Sequence, residues 1–369
     1  MAKFRYRPLV TCGVFFALIA CTNNPYQFTE SFRLFNTPFA AIDEQKDLSS
    51  TFKSNFCKSI STEAESTACT QYFYPYPNDN KDGEVTHLRD IDDKAKYLFV
   101  IVPGILGECI IDEVAPFEKS IPLVSEKYPN IRFHTIKTVS GRASSTYNSK
   151  TIYTEIERLE TYPEEKIIIV GYSKGATDSL VYFSDYYFNP SVKNTKIISG
   201  FVTISGVILG TPIANTEYLN SESIVANFPI DTCPTKDESG VNDLSNLTRF
   251  EWFKQQYSTE ISNIPSFSLI SASTRKNTSL VFNTFHKDIM TMAGINDGQV
   301  PASMQFMPNS YYLGTVNADH WAVILPFSDH ESSNLTWLNK LTKKVATKNT
   351  YPREALLEAL VLTVASKIH

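Results

Sequence analysis

A serine flanked by glycines lies where a strand is predicted to give way to a helix. The run Gly171-Tyr172-Ser173-Lys174-Gly175 directly follows the apolar segment Ile167–Val170 and precedes a helical stretch. A sharp strand-to-helix turn exposes a serine hydroxyl, and the flanking glycines let other chain segments approach it. This placement predicts Ser173 as a nucleophile, with the positive potential of the helix start close to a developing oxyanion.

A serine hydroxyl becomes a good nucleophile only when a base accepts its proton and a carboxylate orients that base. The histidines that follow Ser173 in the chain are His286, His320, His330 and His369. His320 comes just after the apolar run Tyr311–Val316, where a loop at the carboxyl edge of a sheet can return to the serine. His320 is therefore the predicted base, and His330 is the alternative.

The orienting acid is expected between the serine and the histidine in the chain. Asp297 fits because the turn formers Asn296 and Gly298 bracket it. Asp288 is a weaker candidate. Asp319 adjoins the histidine, but adjacent side chains on an extended loop point apart.

Two backbone N–H groups are expected to stabilise the oxyanion of an acyl-transfer reaction. Lys174 follows the nucleophile and supplies the first, while its side chain is expected to point to solvent. Ile105 is the predicted second donor, because it lies in the loop after the strand Tyr97–Val102.

Continuous apolar runs and helical stretches alternate from Tyr97 onward, which predicts a mostly parallel sheet with helices on both faces. The predicted strands are Tyr97–Val102, Lys166–Val170, Ile197–Ile204, Phe267–Ile270 and Tyr311–Val316. The predicted helices are Thr151–Thr161, Lys174–Phe188 and two surface helices, Ser332–Val345 and Glu354–Ile368. One α/β domain over residues 97–369 follows, with an inserted lid segment at about residues 211–265.

The N-terminus has the pattern of an export signal. Three basic residues precede an apolar run from Leu9 to Ala20, which is shorter than the roughly 20 residues of a membrane-spanning helix. Leu18-Ile19-Ala20-Cys21 resembles a bacterial lipobox, which implies cleavage of residues 1–20 and lipidation of Cys21. An ordinary signal peptide is the alternative. The resemblance implies a lipid-anchored protein of the cell envelope, with Thr22 favouring the outer membrane, and residues 21–96 form a tether and N-terminal extension.

The full chain has 34 basic and 39 acidic residues, a net charge of −5. Removal of residues 1–20 takes away three basic residues and no acidic ones, which leaves −8. An acidic protein is a poor electrostatic partner for nucleic acid or for an anionic membrane surface. Membrane contact is therefore expected through the lipid anchor. The sequence does not indicate which oligomeric state the protein has.

Four cysteines remain in the mature body, namely Cys57, Cys69, Cys109 and Cys233. An even number in an oxidising compartment predicts two disulfides with three possible connectivities, of which Cys57–Cys69 and Cys109–Cys233 are favoured. Free buried thiols are the alternative. No CxxC pair or histidine cluster indicates a metal, and no cofactor is predicted.

Residues 97–325 resemble the serine lipase and esterase branch of the α/β-hydrolase fold. The loop Val102-Pro103-Gly104-Ile105-Leu106-Gly107 is similar to the opening motif of lecithin–cholesterol acyltransferase-like proteins. Gly210-Thr211-Pro212, the run from Asp297 to Pro301 and His320-Trp321 are similar to motifs of that group and of lipases. Many lipases have His-Gly where this chain has Pro103-Gly104, which implies a differently shaped oxyanion loop.

The resemblance implies that the middle insertion covers the site and forms the acyl pocket. The insertion contains the aromatic residues Phe228, Phe250, Trp252, Phe253 and Tyr257. They are equally compatible with a lipid-binding cleft and with a small satellite core. A Cys109–Cys233 disulfide would hold the insertion beside the oxyanion loop.

The predicted function is hydrolysis of carboxylic esters, on a lipid or another apolar acyl ester, through Ser173, His320 and Asp297. Acyl transfer to an alcohol uses the same residues and differs in excluding water. A catalytically inactive hydrolase fold that only binds is the third possibility, and it predicts broken triad positions, whereas all three are filled here.

Overall fold

A six-stranded parallel sheet forms the centre of the protein. The computed structural model describes residues 43–60, 69–74, 95–105, 114–215, 239–326 and 350–368. The strands are β1 (Tyr97–Val102), β2 (Ile131–Thr135), β3 (Lys166–Tyr172), β4 (Ile198–Ile204), β5 (Ser266–Ala272) and β6 (Tyr311–Asn317). Their order in the sheet is β2-β1-β3-β4-β5-β6, and all five pairings are parallel.

Five of the six strands coincide with the predicted apolar runs, because each is covered on both faces. Every residue of β1 and of β5 is buried. The prediction missed β2, which lies at the edge of the sheet and buries only Ile131 fully. An edge strand with a polar, half-exposed sequence does not produce a continuous apolar run.

Eight helices are present in the part of the chain that the structure describes. They are α1 (Ser49–Ser59), α2 (Ser120–Lys127), α3 (Ser145–Arg158), α4 (Lys174–Tyr182), α5 (Asn246–Gln256), α6 (Thr259–Asn263), α7 (Asn283–Ala293) and α8 (Arg353–Ala365). A π-helical turn, Phe183–Tyr187, extends α4. The predicted helix over 174–188 is confirmed with that change in its last turn.

Helices cover both faces of the sheet. The connection through α2 steps from β1 to β2, whereas the connection through α3 steps back from β2 to β3. Parallel strand connections are right-handed, so these two helices lie on opposite faces. Helix α4 packs beside α3, and α8 packs between α1 and α2. The predicted α/β class and parallel sheet are confirmed.

The prediction of a C-terminal surface helix was wrong. In α8 every residue except Glu354 is buried. The helix is apolar on all sides, and a helix of that kind belongs in a core. Helices α1 and α2 cover it, and Glu358 is buried with the Tyr128 hydroxyl donating to its carboxylate at 2.6 Å. The helix predicted at 332–345 lies outside the described residues.

Part of the predicted N-terminal extension packs against the sheet domain. Leu48 N–H donates to the Tyr312 carbonyl at 2.9 Å, and Tyr74 N–H donates to the Thr315 carbonyl at 2.8 Å, both on β6. A disulfide joins Cys57 on α1 to Cys69. Cys109, Cys233 and Cys21 lie outside the described residues. Within the described ranges, no helix has the length and apolar character needed to cross a membrane.

Candidate active site

Ser173 occupies a strained backbone position between β3 and α4. Its φ of 54° and ψ of −123° lie in a region that residues with a side chain rarely adopt. Ser173 N–H donates to the Ile204 carbonyl at 3.1 Å, and Val207 N–H donates to the Ser173 carbonyl at 3.1 Å. The end of β4 and the loop that follows it thus hold the Ser173 N–H and carbonyl in place. Conformational strain of this kind is concentrated at functional sites.

Two glycines let the loop after β1 pack directly against the serine turn. A Cβ at Gly175 would lie 2.1 Å from the Val102 carbonyl oxygen. A Cβ at Gly104 would lie 2.8 Å from the Ser173 Cβ and 3.2 Å from its Oγ. Contacts below 3.0 Å are not tolerated by real side chains, so only glycine permits this approach. The loop that carries Ile105 therefore lies beside the serine.

Ser173, His320 and Asp297 form a continuous hydrogen-bonded chain. Ser173 Oγ lies 2.8 Å from His320 Nε2, and His320 Nδ1 lies 2.7 Å from Asp297 Oδ2. Their exposed fractions are 4%, 1% and 0%. Because a carboxylate can only accept, Nδ1 carries the proton and Nε2 is free to accept from the serine hydroxyl. This arrangement can remove the hydroxyl proton as the oxygen attacks an electrophile.

Hydrogen bonds to the backbone N–H and carbonyl of His320 also hold this residue in place. His320 N–H donates to the Asp297 carbonyl at 2.9 Å, and the Tyr172 hydroxyl donates to the His320 carbonyl at 2.6 Å. The Tyr172 and His320 ring centroids are 5.4 Å apart. Burial raises the pKa of Tyr172 well above 10, with the Asp297 and Asp319 charges adding to the effect. Tyr172 therefore stays a neutral donor at physiological pH.

The turn that contains Asp297 holds its second carboxylate oxygen. Oδ1 accepts from Gln299 N–H at 2.9 Å and from Val300 N–H at 2.7 Å. Gly298 has a φ of 94°, which the left-handed turn requires. The turn chemistry that selected Asp297 in the sequence is thus the feature that orients its carboxylate.

The other acid and histidine candidates that the structure describes make their contacts elsewhere. The Asp319 carboxylate accepts from Ser279 N–H and Ala322 N–H, each at 2.8 Å, and burial raises its pKa. His286 Nε2 lies 2.8 Å from the Ser273 carbonyl oxygen, and Asp288 is exposed. His330 and His369 lie outside the described residues.

The Lys174 side chain is buried, and the prediction that it points to solvent was wrong. Its exposed fraction is 0%, and Nζ lies 2.6 Å from Asp178 Oδ1, one helical turn away. Asp178 Oδ2 accepts from Asn148 Nδ2 at 2.7 Å. Burial raises the pKa of Asp178, and the nearby Lys174 ammonium partly offsets that rise. The side chain tolerates burial because its charge is paired within the same helix.

An apolar cleft opens beside Ser173. It holds about 790 Å³, its open mouth included. Its lining consists of Ile105, Tyr172, Ser173, Val207, Thr211, Ile213, Ala214, Val241, Leu244, Phe285, Gln299, Val300, His320, Trp321 and Leu325. Five of these lie within the predicted insertion, from Thr211 to Leu244. The described parts of the insertion therefore contribute to the wall of the cleft.

The aromatic residues of the insertion that the structure describes lie outside the cleft. Trp252 and Phe253 have ring centroids 5.2 Å apart, and the Phe253 and Tyr257 centroids are 4.9 Å apart. The Arg249 guanidinium lies 4.6 Å from the Trp252 ring, and burial lowers its pKa to about 10. None of the aromatic residues Phe250, Trp252, Phe253 and Tyr257 lines the described cleft, which favours the satellite core over the lipid-binding cleft. Phe228 lies outside the described residues.

Two polar residues that contact Asp297 are not indicated by any pattern in the sequence. Ser271 Oγ lies 2.8 Å and Gln305 Nε2 lies 3.2 Å from Asp297 Oδ2. Neither belongs to a motif, and only the folded sheet brings them beside the acid. Among the described residues, no group of three or more His, Cys, Asp or Glu side chains could hold a metal ion.

A comparison with solved structures finds similarity to a carboxyl esterase and, at lower TM-scores, to lipases. A metagenomic carboxyl esterase has a TM-score of 0.69 and 23% identity, over 86% of this chain and 92% of its own. A lipase of Bacillus licheniformis in mature form has a TM-score of 0.44 and 19% identity, over 62% and 86%. A lipase of Staphylococcus hyicus has a TM-score of 0.46 and 12% identity, over 76% and 98%.

The first of these similarities shows the fold: this chain has the α/β-hydrolase fold. No protein-family model matches the sequence. No curated protein matches it either. The similarity to lecithin–cholesterol acyltransferase-like proteins stays a prediction.

Proposed function

We propose that this protein is a serine hydrolase that cleaves carboxylic esters with an apolar acyl group. The observation that carries the proposal is the buried chain from Ser173 Oγ through His320 to Asp297, with contacts of 2.8 and 2.7 Å beside an apolar cleft. The carboxyl esterase with the same fold supports the reaction class.

In the first half of the reaction, Ser173 Oγ attacks the ester carbonyl carbon while His320 Nε2 takes the hydroxyl proton. The carbonyl π electrons move to oxygen and form a tetrahedral oxyanion, and Asp297 stabilises the imidazolium. The intermediate then collapses, the ester C–O bond breaks, and His320 returns the proton to the leaving alkoxide. The products are an alcohol and an acyl group on Ser173.

In the second half, water takes the place of the alcohol. His320 removes a proton from the water as its oxygen attacks the acyl carbon, and collapse releases a carboxylic acid and restores the Ser173 hydroxyl. The backbone N–H groups of Lys174 and Ile105 are the proposed donors to both oxyanions. One such donor is worth about 3 kcal/mol of transition-state stabilisation.

The shape and chemistry of the cleft support the choice of substrate. Apolar side chains such as Ile213, Leu244 and Phe285 dominate the lining, and burying an acyl chain against them releases water from apolar surface. Thr211 Oγ1 donates to the Gln299 carbonyl at 2.6 Å, so the insertion is tied to the turn that holds Asp297.

The test is hydrolysis of p-nitrophenyl esters from acetate to palmitate by the full chain and by Ser173→Ala. We expect kcat/KM to fall by at least about a thousandfold in the variant. A fluorophosphonate should label the wild type once and leave Ser173→Ala unlabelled, while circular dichroism checks that both are folded. Equal turnover by the two proteins would refute the proposal.

We also propose that the protein is anchored to the cell envelope through a lipid on Cys21, at the outer membrane. The support is the lipobox-like run from Leu18 to Cys21 and the basic start that precedes it. Radioactive palmitate fed to expressing bacteria should label the wild type and not Cys21→Ser. Label that persists in Cys21→Ser, or wild-type protein released in soluble form, would contradict the anchor.

A further inference from the structure

A buried hydroxyl contacts the same carboxylate oxygen that binds the catalytic imidazole. Asp297 Oδ2 accepts from His320 Nδ1 at 2.7 Å and lies 2.8 Å from Ser271 Oγ. Ser271 is on β5 and has an exposed fraction of 0%. With the 3.2 Å contact from Gln305 Nε2, three donors surround one oxygen. Each donor draws charge from the carboxylate and restricts its rotation.

The direction of the Ser271 hydroxyl follows from its neighbours. The carboxylate can only accept, so at 2.8 Å the single Ser271 proton must point to Asp297. Ser205 Oγ lies 2.6 Å from Ser271 Oγ, and since that proton is already used, Ser205 must be the donor. In the chain Ser205–Ser271–Asp297–His320–Ser173, Ser205 therefore donates to Ser271 and Ser271 donates to Asp297.

Ser205 has an unusual backbone for a residue with a side chain. Its φ is 49°, directly after the end of β4, and it is fully buried. Ser205 N–H donates to the Leu269 carbonyl on β5 at 3.0 Å. This left-handed backbone conformation is strained for a residue with a side chain. In this conformation the Ser205 hydroxyl contacts the Ser271 hydroxyl.

Gln305 fixes the peptide of Ser271. Its Oε1 accepts from Ser271 N–H at 2.8 Å, and its Nε2 donates to the Ser271 carbonyl at 2.9 Å. The same Nε2 lies 3.1 Å from the Val300 carbonyl, in the turn that holds Asp297. The buried amide thus joins β5 to the acid turn and leaves Ser271 little freedom to move.

We infer that Ser271, oriented by Ser205 and fixed by Gln305, is a positioning residue for the hydrolysis. It holds Asp297 in line with His320 and shares the charge of the carboxylate, which sets how strongly the imidazole binds a proton. The inference rests on the proposed function and adds to it a residue that no motif assigns.

The sign of the effect can be worked out. Without the Ser271 hydroxyl, more negative charge stays on Asp297 Oδ2, which stabilises the protonated imidazole of His320. The base must be neutral to accept a proton, so the acid limb of the kcat/KM profile moves to higher pH. The other titratable groups near His320, Tyr172 and Asp319, are unchanged by the substitution.

The experiment compares Ser271→Ala with Ser271→Thr and Ser268→Ala in the full chain. Ser268 is a matched control, because it is a fully buried serine on the same strand whose hydroxyl bonds Ser310 Oγ at 2.8 Å. We expect Ser271→Ala to lower kcat/KM roughly tenfold, which is the loss for one hydrogen bond to a charged group, and to raise the acid limb by about 0.5 pH unit. Ser271→Thr should have the kcat/KM and the acid limb of the wild type. Ser268→Ala should also have the acid limb of the wild type.

The inference would be overturned if the acid limb of the kcat/KM profile of Ser271→Ala stays in place or moves to lower pH. An equal shift of the acid limb in Ser268→Ala would also overturn it. A second measurement does not depend on turnover. Histidine labelled at Cε1 gives an NMR titration of His320, assigned with His320→Asn. If no ester is hydrolysed, the proposed function fails, and the NMR signal still decides whether Ser271→Ala favours the protonated form of His320.

Discussion

Lys174 contributes to the site through its backbone and supports it through its side chain. Its N–H is the proposed oxyanion donor at the first position of α4, while its ammonium is paired with Asp178 at 2.6 Å in a fully buried position. Two charges in the interior are stable only together, because each alone would face the full penalty of desolvation. The pair therefore stabilises the first turn of α4.

At the residue scale we predict that Asp178→Asn destabilises the fold by about 3 kcal/mol, because it leaves the Lys174 charge buried without its counter-ion. The double variant Lys174→Met/Asp178→Asn removes both charges and should recover to within about 1 kcal/mol of the wild type. Urea unfolding followed by circular dichroism measures both differences. A double variant as unstable as the single one would show that packing, not charge pairing, matters here.

The three residues of the hydrogen-bonded chain could be located from the sequence because each has a local signal. Ser173 has flanking glycines, Asp297 lies in an Asx-type turn, and His320 follows the last strand. Ser271 and Gln305 have no such signal, since a serine within a strand and a glutamine in a loop have many possible surroundings. Their contact with Asp297 depends on strand order, which is a property of the whole sheet. The burial of Lys174 was missed for the same reason.

At the scale of elements, the continuity of apolar runs decided what could be predicted. Strands covered on both faces gave such runs, and the edge strand β2 did not. His134 illustrates the difference, because a half-buried histidine looks like a surface residue in the sequence. Its neighbour across the sheet is Val100 on the fully buried strand β1.

We predict that His134 makes the fold sensitive to acid. Burial lowers its pKa below 6.5, and the Glu155 charge only partly offsets this. Its Nε2 is buried and has no hydrogen-bond partner among the residues that the structure describes. The folded protein thus binds this proton less readily than the unfolded chain, so stability is full above pH 6.5 and falls as the pH drops through the lowered pKa.

His134→Gln has no titrating group at this position. Its free energy of unfolding should therefore decrease less than that of the wild type between pH 7.5 and pH 5, as measured by urea titration at each pH. Glu155→Gln should have the opposite effect, because it removes the charge that favours the protonated imidazole. Parallel pH curves for all three proteins would rule out His134 as the source.

At the scale of the whole molecule, the two ends of the described chain support the histidine loop. Arg353 at the start of α8 donates from Nη1 to the Ala322 carbonyl at 2.9 Å, two residues after His320. The Tyr351 hydroxyl donates to the Tyr72 carbonyl at 2.9 Å. The N-terminal segment thus contacts the residues that lead into α8, and α8 in turn contacts the loop that carries His320.

The Cys57–Cys69 disulfide closes a loop with a sequence separation of 12 in that N-terminal segment. A loop of this length restricts the unfolded chain enough to stabilise the fold by about 2–3 kcal/mol. Cys57→Ala/Cys69→Ala should lose that amount in urea unfolding, with a lower Tm. Neither cysteine lines the cleft, so kcat/KM at 25 °C should stay near the wild-type value while the variant is folded. A double variant with unchanged stability would show that the packing of α1 alone holds the segment. If its stability is unchanged but its turnover is impaired, the disulfide is coupled directly to the site.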